Sequence, residues 1–170
     1  MRIFLIGFMG AGKTYLGRQL ADKLSLPFVD TDLWIENQSG LSIPEIFEKK
    51  GETAFRAMER EALLKLIASD SAVISCGGGL PCHSRNMETM LQFGRVIYLQ
   101  ISPDELLLRL TRNGTEKRPL LADKTQEELK TWIQQKLTER EACYLQAHHV
   151  LCGDCLNAED ILCLPGLRNS

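Results

Sequence analysis

Gly7-Phe8-Met9-Gly10-Ala11-Gly12-Lys13-Thr14 follows directly on a continuous apolar run, Ile3-Phe4-Leu5-Ile6. The eight residues fit G-x-x-x-x-G-K-[ST], a loop whose glycines let backbone N–H groups turn inward around phosphate at a helix N-terminus. The flanks have the form this mechanism needs. The apolar run reads as a strand buried on both faces of a parallel sheet. Leu16, Leu20 and Leu24 recur every four residues on a helix spanning 13–24. Lys13 can reach the β- and γ-phosphates of a nucleotide, and the Thr14 hydroxyl can bind Mg²⁺.

Outward from this stretch, strands alternate with helices. Pro27–Asp30, Ala72–Cys76, Val96–Leu99 and His149–Cys152 read as four further strands. Ser42-Ile43-Pro44-Glu45 has capping-box spacing and opens a short helix with Ile46 and Phe47 inward. Gly51 breaks it, and a longer helix carries Phe55, Ala62, Leu63, Leu66 and Ile67 on one stripe. Ser84 is expected to cap a helix with Met87, Met90 and Leu91 inward. Ser102, Pro103 and Glu105 start another that ends near Arg112. Thr125 with Glu128 caps a long helix through Leu129, Ile133, Leu137 and Tyr144, and a short helix lies around 158–162. The alternation predicts an α/β three-layer sandwich with a five-stranded parallel sheet. One domain is expected, with a core of 1–112 and 125–163. The polar segment 113–124, interrupted by Gly114 and Pro119, is expected to be a mobile lid.

Composition narrows the function classes. In 170 residues, 44% hydrophobic and 25% charged is globular usage, which excludes a disordered or collagen-like chain. Twenty Lys and Arg against 22 Asp and Glu leave a net charge of -2, so no nucleic-acid partner is implied. The apolar runs are far too short for a membrane span. No secretory h-region with a cleavage site follows Met1-Arg2, and the expected location is the cytoplasm. His148, His149, Cys152 and Cys155 include a C-x-x-C spacing suited to zinc or redox chemistry. No second such pair follows, and neighbouring residues of a strand point to opposite faces. The six cysteines are therefore expected to be reduced, mostly buried thiols.

Three further groups of residues can carry chemistry. Asp30-Thr31-Asp32 ends the second strand, where ligands of open parallel sheets bind. Its carboxylates suit either Mg²⁺ and a hydroxyl, or a helix N-cap. Gly77-Gly78-Gly79 can form an anion-binding nest of N–H groups or a flexible turn. Arg56, Arg118 and Arg140 offer planar forks suited to carboxylate and phosphate, against the commoner role of a solvated surface cation.

Taken in order, GFMGAGKT, DTD, GETAFRAMERE, CGGGL, KRPLL and REACY resemble the shikimate kinase family, from Arg2 to about Leu162. Gluconate kinases and nucleoside monophosphate kinases share the first motif without the full set. No N-K-x-D guanine signature points to a GTPase switch, and the joint presence of Lys13, Thr14, Asp32 and Arg118 argues against a pseudoenzyme. The resemblance implies a P-loop kinase type fold that transfers the γ-phosphate of ATP to a hydroxyl of shikimate, giving 3-phosphoshikimate. It implies ATP as co-substrate on Gly10, Ala11, Gly12, Lys13, Thr14 and Tyr15, and Mg²⁺ on Thr14 and, through water, Asp30. Lys13, Asp32 and Arg118 are the implied catalytic residues, with Asp32 as candidate base and Arg118 in the lid. Asp32, Arg56, Arg140 and the Gly77, Gly78 and Gly79 turn would hold shikimate. Arg112 would pack on adenine, with Arg109 as competitor. The loop from Gly153 to Asn157 departs from the family pattern, and Cys143 stands where the family has Pro. The expected partners are small molecules, and a monomer is expected.

Overall fold

The apolar run forms β1 (Arg2–Ile6), whose residues alternate between two cores because successive strand side chains point to opposite faces. Ile3 and Leu5 enter one core, Phe4 and Ile6 the other, and all four are fully buried. The structure, a computed structural model, describes residues 1–69, 71–112 and 124–167.

Five strands form a single parallel sheet in the order β2-β3-β1-β4-β5. Its other members are β2 (Phe28–Asp30), β3 (Ala72–Ser75), β4 (Arg95–Gln100) and β5 (His149–Cys152). α1 (Lys13–Leu24), α5 (Pro103–Arg112) and α7 (Ala158–Leu162) bury Leu16, Leu20, Leu106, Leu110 and Ile161 on one face. α3 (Ile43–Ala68) and α4 (Asn86–Phe93) bury Leu63, Leu66, Met87 and Met90 on the other. α6 (Gln126–Tyr144) serves both, through Leu129 and Ile133 on the first core and Tyr144 on the second. The expected three-layer α/β architecture is present. β1 is flanked by β3 and β4, so chain order switches direction at its carboxyl end, where ligands of such sheets sit.

Several local expectations hold for the anticipated reasons. Ser42–Glu45 and Thr125–Glu128 each form a reciprocal capping box. Gly51, at φ 79° and ψ 172°, leaves the helical region and kinks α3. Others need correction. Ser84 does not cap α4: it lies at φ 53° and Arg85 at φ 56°, and the helix begins at Asn86 with no side-chain cap. Met87 and Met90 are buried, whereas Leu91 is only partly so. α2 (Thr31–Ser39) has no counterpart in the sequence reading. Only Thr31 and Ile35 of its nine residues are buried, too few to leave an apolar stripe. A third apolar group, Ile35, Ile46, Phe55 and Ala62, joins α2 to α3.

The thiols are not mostly buried. Cys76 is buried, Cys82 and Cys143 are half-buried, and Cys152, Cys155 and Cys163 are exposed. Cys152 and Cys155 lie on β5 and just after it, at the edge of the sheet, and Cys163 stands at the C-cap of α7. His148 Nδ1 accepts from the Val96 N–H at 3.1 Å, which gives that ring a role in holding the sheet edge. The expected lid at 113–124, with Arg118, lies outside the described residues except for Lys124. No described helix is long and apolar enough to cross a membrane.

Candidate active site

The phosphate loop leaves β1 through Gly7, at φ 143°, where a Cβ would stand 2.7 Å from the Leu99 carbonyl oxygen. Gly10 and Gly12 are also left-handed, at φ 83° and 90°, a conformation that glycine adopts without steric cost. Lys13 is buried beneath the loop and donates to the Gly7 and Phe8 carbonyls, each at 2.9 Å. Thr14 donates from Oγ1 to Asp30 Oδ2 at 2.8 Å and lies 3.4 Å from the Ser75 hydroxyl.

Asp30 takes both of the roles open to it. Its Oδ1 caps α2 by accepting from the Asp32 and Leu33 N–H groups at 3.1 and 3.5 Å, while Oδ2 faces Thr14. Thr14, Asp30 and Ser75 thus present hard oxygen donors beside the loop, the set that suits Mg²⁺. Beside them, Asp32 Oδ1 is buried with no hydrogen-bond partner. Ser75, the last residue of β3, was not singled out from sequence. Its position before the three glycines was the available signal.

The glycine turn is where three of the charged residues singled out from sequence meet. A Cβ on Gly77 would lie 2.4 Å from Asp32 Oδ1, one on Gly78 3.4 Å from an Arg140 guanidinium nitrogen, and one on Gly79 2.6 Å from an Arg56 guanidinium nitrogen. Each missing side chain is the space that one charged group approaches. The Gly77 N–H donates to the buried Thr31 hydroxyl at 2.8 Å, so it is not offered to a ligand. Of the three amides of the expected nest, that of Gly77 is therefore already engaged.

Arg56 is held by two carboxylates, Glu59 at 2.7 Å and Glu52 at 2.9 Å. Glu59 is buried, and burial pushes its carboxyl up to about 7 against the Arg56 ion pair. Burial, then the neighbouring Asp30 carboxylate, push Asp32 up to about 6, against the pull of Lys13. Arg140 lies over the Phe8 ring at 5.8 Å, one turn before Tyr144. Tyr144 donates to the Gly78 carbonyl at 2.5 Å and so ties α6 to the turn. Glu59 and Tyr144 were quoted within motifs but given no role. Their spacings from Arg56 and Arg140, three and four residues, place each pair on one helix face.

On the other side of the loop is a cleft of about 300 Å³ that Gly12, Tyr15, Arg109, Asp154 and Cys155 line. Arg109 donates to Glu105 Oε1 at 2.7 Å, to the Gly10 carbonyl at 3.3 Å and to the Asp154 carbonyl. Arg112 is exposed at the end of α5 and does not line this cleft. Of the two arginines that sequence left open, the structure brings Arg109 to the loop. A larger cavity of about 480 Å³ lies between the ends of β4 and β5 and α6. Its polar groups are engaged with one another, Gln100 with Glu141 and Cys152, and Ser102 with Asp154, so it offers no converging charge.

The shikimate kinase family model matches residues 9–162. The shikimate kinase of Bacteroides thetaiotaomicron is 42% identical over 154 residues, covering 91% of this chain and 87% of that relative. That of Enterococcus faecalis is 43% identical over 141 residues, covering 83% of each. The crystal structure of the Bacteroides thetaiotaomicron enzyme superposes with a TM-score of 0.88 over 92% of this chain and 88% of its own. The Acinetobacter baumannii enzyme in complex with shikimate superposes with a TM-score of 0.84 at 37% identity, over 94% of this chain and 87% of its own. With that family model spanning residues 9–162 and relatives 42% identical over most of its length, this chain belongs to the shikimate kinase family.

Proposed function

We infer that this chain transfers the γ-phosphate of ATP to a hydroxyl of shikimate, giving 3-phosphoshikimate and ADP. The observation that carries this reading is the convergence of Asp32, Arg56 and Arg140 on one glycine turn beside the Lys13 loop. A small anionic polyol calls for just these groups: cations for a carboxylate and a carboxylate for hydroxyls. ATP lies along the loop, its phosphates on the Gly10–Thr14 amides, Lys13 and Thr14, and its base against Arg109 in the cleft with Tyr15 and Cys155. Lys13 exchanges its two carbonyl partners for phosphate oxygens, where its charge opposes the charge that spreads in the transition state.

Thr14, Asp30 and Ser75 would hold Mg²⁺, directly or through water. Bound there, the ion would supply positive charge against the charge that develops on the transferring phosphate. Asp32 orients the attacking hydroxyl and takes its proton; a carboxyl pushed up to about 6 is largely ionised at neutral pH yet a stronger base than an ordinary one. The shikimate carboxylate displaces the exposed Glu52 from Arg56, while buried Glu59 keeps the guanidinium in place. Arg140 and the Gly78 and Gly79 amides complete the acceptor grip. Arg118, in the segment expected to close as a lid, meets the transferring phosphate. We place the reaction in the cytoplasm, where reduced thiols are the rule, and the active unit as a monomer.

The test is ADP release with Mg²⁺-ATP and shikimate, compared with gluconate and nucleoside monophosphates as acceptors. Turnover with shikimate alone is expected. Equal turnover with gluconate or a nucleotide, or none with shikimate, overturns the assignment.

A further inference from the structure

Two half-buried thiols meet behind the glycine turn. Cys82 ends the 3₁₀ turn Leu80–Cys82 that grows directly out of Gly79, its N–H donating to the Gly79 carbonyl at 3.0 Å. Cys143 lies on α6, three residues after Arg140 and next to Tyr144, which bonds Gly78. Both cysteines pack on the same apolar cluster, and their thiols hydrogen-bond to each other. The two lie far apart in sequence, so only the packing of the 3₁₀ turn on α6 brings them together. The phosphotransfer mechanism uses neither of them.

We propose that Cys82 and Cys143 are a modification site, forming a reversible disulfide that clamps the glycine turn to the Arg140 helix and weakens acceptor binding. The surroundings favour the chemistry. The hydrogen bond from Cys82 holds the Cys143 thiol below its ordinary range, so Cys143 is the attacking thiolate. The same hydrogen bond, together with burial, holds the Cys82 thiol above its ordinary range against the Arg140 and Arg56 charges, so Cys82 is the resolving thiol. With hydrogen peroxide as oxidant, Cys143 sulfur attacks one oxygen, the O–O bond breaks and hydroxide leaves, which takes up a proton to become water. The Cys82 sulfur then attacks the sulfenic sulfur; the S–O bond breaks, and the leaving hydroxide takes the Cys82 thiol proton to become a second water. Two thiols are oxidised to one disulfide while one peroxide is reduced to two waters, and a dithiol reductant reverses the step.

The effect on the acceptor follows from leverage. Bond formation closes the two sulfurs from hydrogen-bonding to covalent separation. Cys143 and Arg140 share one helix, so this pull moves the guanidinium that a Cβ on Gly78 would meet at 3.4 Å. The other thiols sit elsewhere: Cys76 is buried against Met90, Cys152 faces Gln100, and Cys155 lines the nucleotide cleft. The acceptor effect rests on the acceptor-site reading above, whereas the cross-link does not.

The experiment treats the full chain with hydrogen peroxide, alkylates residual thiols, and maps non-reduced peptides by mass spectrometry beside steady-state kinetics. The expected result is a linked pair of peptides carrying Cys82 and Cys143. KM for shikimate should rise about tenfold, the scale of one charge-assisted hydrogen bond, with KM for ATP unchanged. Dithiothreitol should restore it. Cys82→Ser and Cys143→Ser should each abolish the link and the KM shift, with activity before treatment unchanged. Alkylation of both Cys82 and Cys143 after oxidation overturns the proposal, as does a link that leaves KM for shikimate unmoved. A KM shift that persists in both serine variants also overturns it. A reduced enzyme inactive on shikimate would instead sink the functional reading, while the peptide map would still report the cross-link.

Discussion

Asp32 and Glu59 are both carboxyls that burial drives toward neutrality, yet only Glu59 has a guanidinium in hydrogen-bond contact. Asp32 is raised from 3.8 to about 6, so between those values the folded chain holds a proton that the unfolded chain has lost. Its contribution to stability therefore falls as pH rises through that window and stays low above it. Asp32→Asn should stabilise the fold at pH 7.5 by about 1–3 kcal/mol while cutting kcat by ~100-fold or more. Thermal melts and ADP-release assays on one preparation check both; a variant both less stable and fully active refutes the assignment. In the parent enzyme kcat/KM should fall as pH drops below about 6, the value burial imposes on Asp32.

The two acceptor arginines should separate in a different way. Arg56→Ala and Arg140→Ala should each weaken shikimate binding by about 2–4 kcal/mol, measured by calorimetry, with little change for ATP. Arg56→Ala alone strips the cation from buried Glu59. Its stability loss should therefore be larger at pH 8, where that carboxyl is ionised, than at pH 6. Arg140 makes no ion pair with Glu59 and acts on it only at longer range, so the loss from Arg140→Ala should vary less over that range than the loss from Arg56→Ala.

At the scale of elements, α5 shows why spacing alone could not choose between Arg109 and Arg112. Residues three apart share one helix face, so both satisfy the same periodicity. What separates them is height along the axis: Arg109 stands level with the Gly10 carbonyl, and Arg112 is one turn further out. Arg109→Ala should raise KM for ATP about tenfold, the order of one lost cation–π contact with a base, and Arg112→Ala should change it by less than about twofold. Equal effects, or the reverse order, would move the adenine from this cleft. α2 was illegible for a related reason, because a helix that buries two side chains of nine leaves no stripe to read.

At the scale of the molecule, the parallel sheet delivers the carboxyl ends of β1, β2 and β3 side by side, and with them the loop, Asp30–Asp32 and Ser75–Gly79. α6 then crosses from one core to the other and brings Arg140 over the same edge. This brings Lys13, Arg56 and Arg140 to one end of the sheet. If Arg118 acts only on a closed, doubly occupied site, Arg118→Ala should lower kcat far more than it weakens shikimate binding. Arg118→Lys should recover little, since a point charge replaces a planar fork. Stopped-flow turnover with parallel calorimetry checks this; a kinetically silent variant removes Arg118 from the mechanism.

Local patterns determined what local physics governs. The loop at 7–14, both capping boxes and the strand–helix alternation each depend on a few neighbouring residues, and each stands where it was expected. The charged residues of the acceptor site were also visible, because Asp32, Arg56 and Arg140 fall in ordered motifs. Their mutual distances were not. The approach of three charged side chains to three successive glycines, the capture of the Gly77 amide by Thr31, and the meeting of Cys82 with Cys143 join residues from separate elements. The same holds for the fate of the carboxyls. How far Asp32 and Glu59 rise depends on how much water the packed helices exclude. Burial is a property of the assembled layers rather than of any segment, so tertiary structure alone decided it.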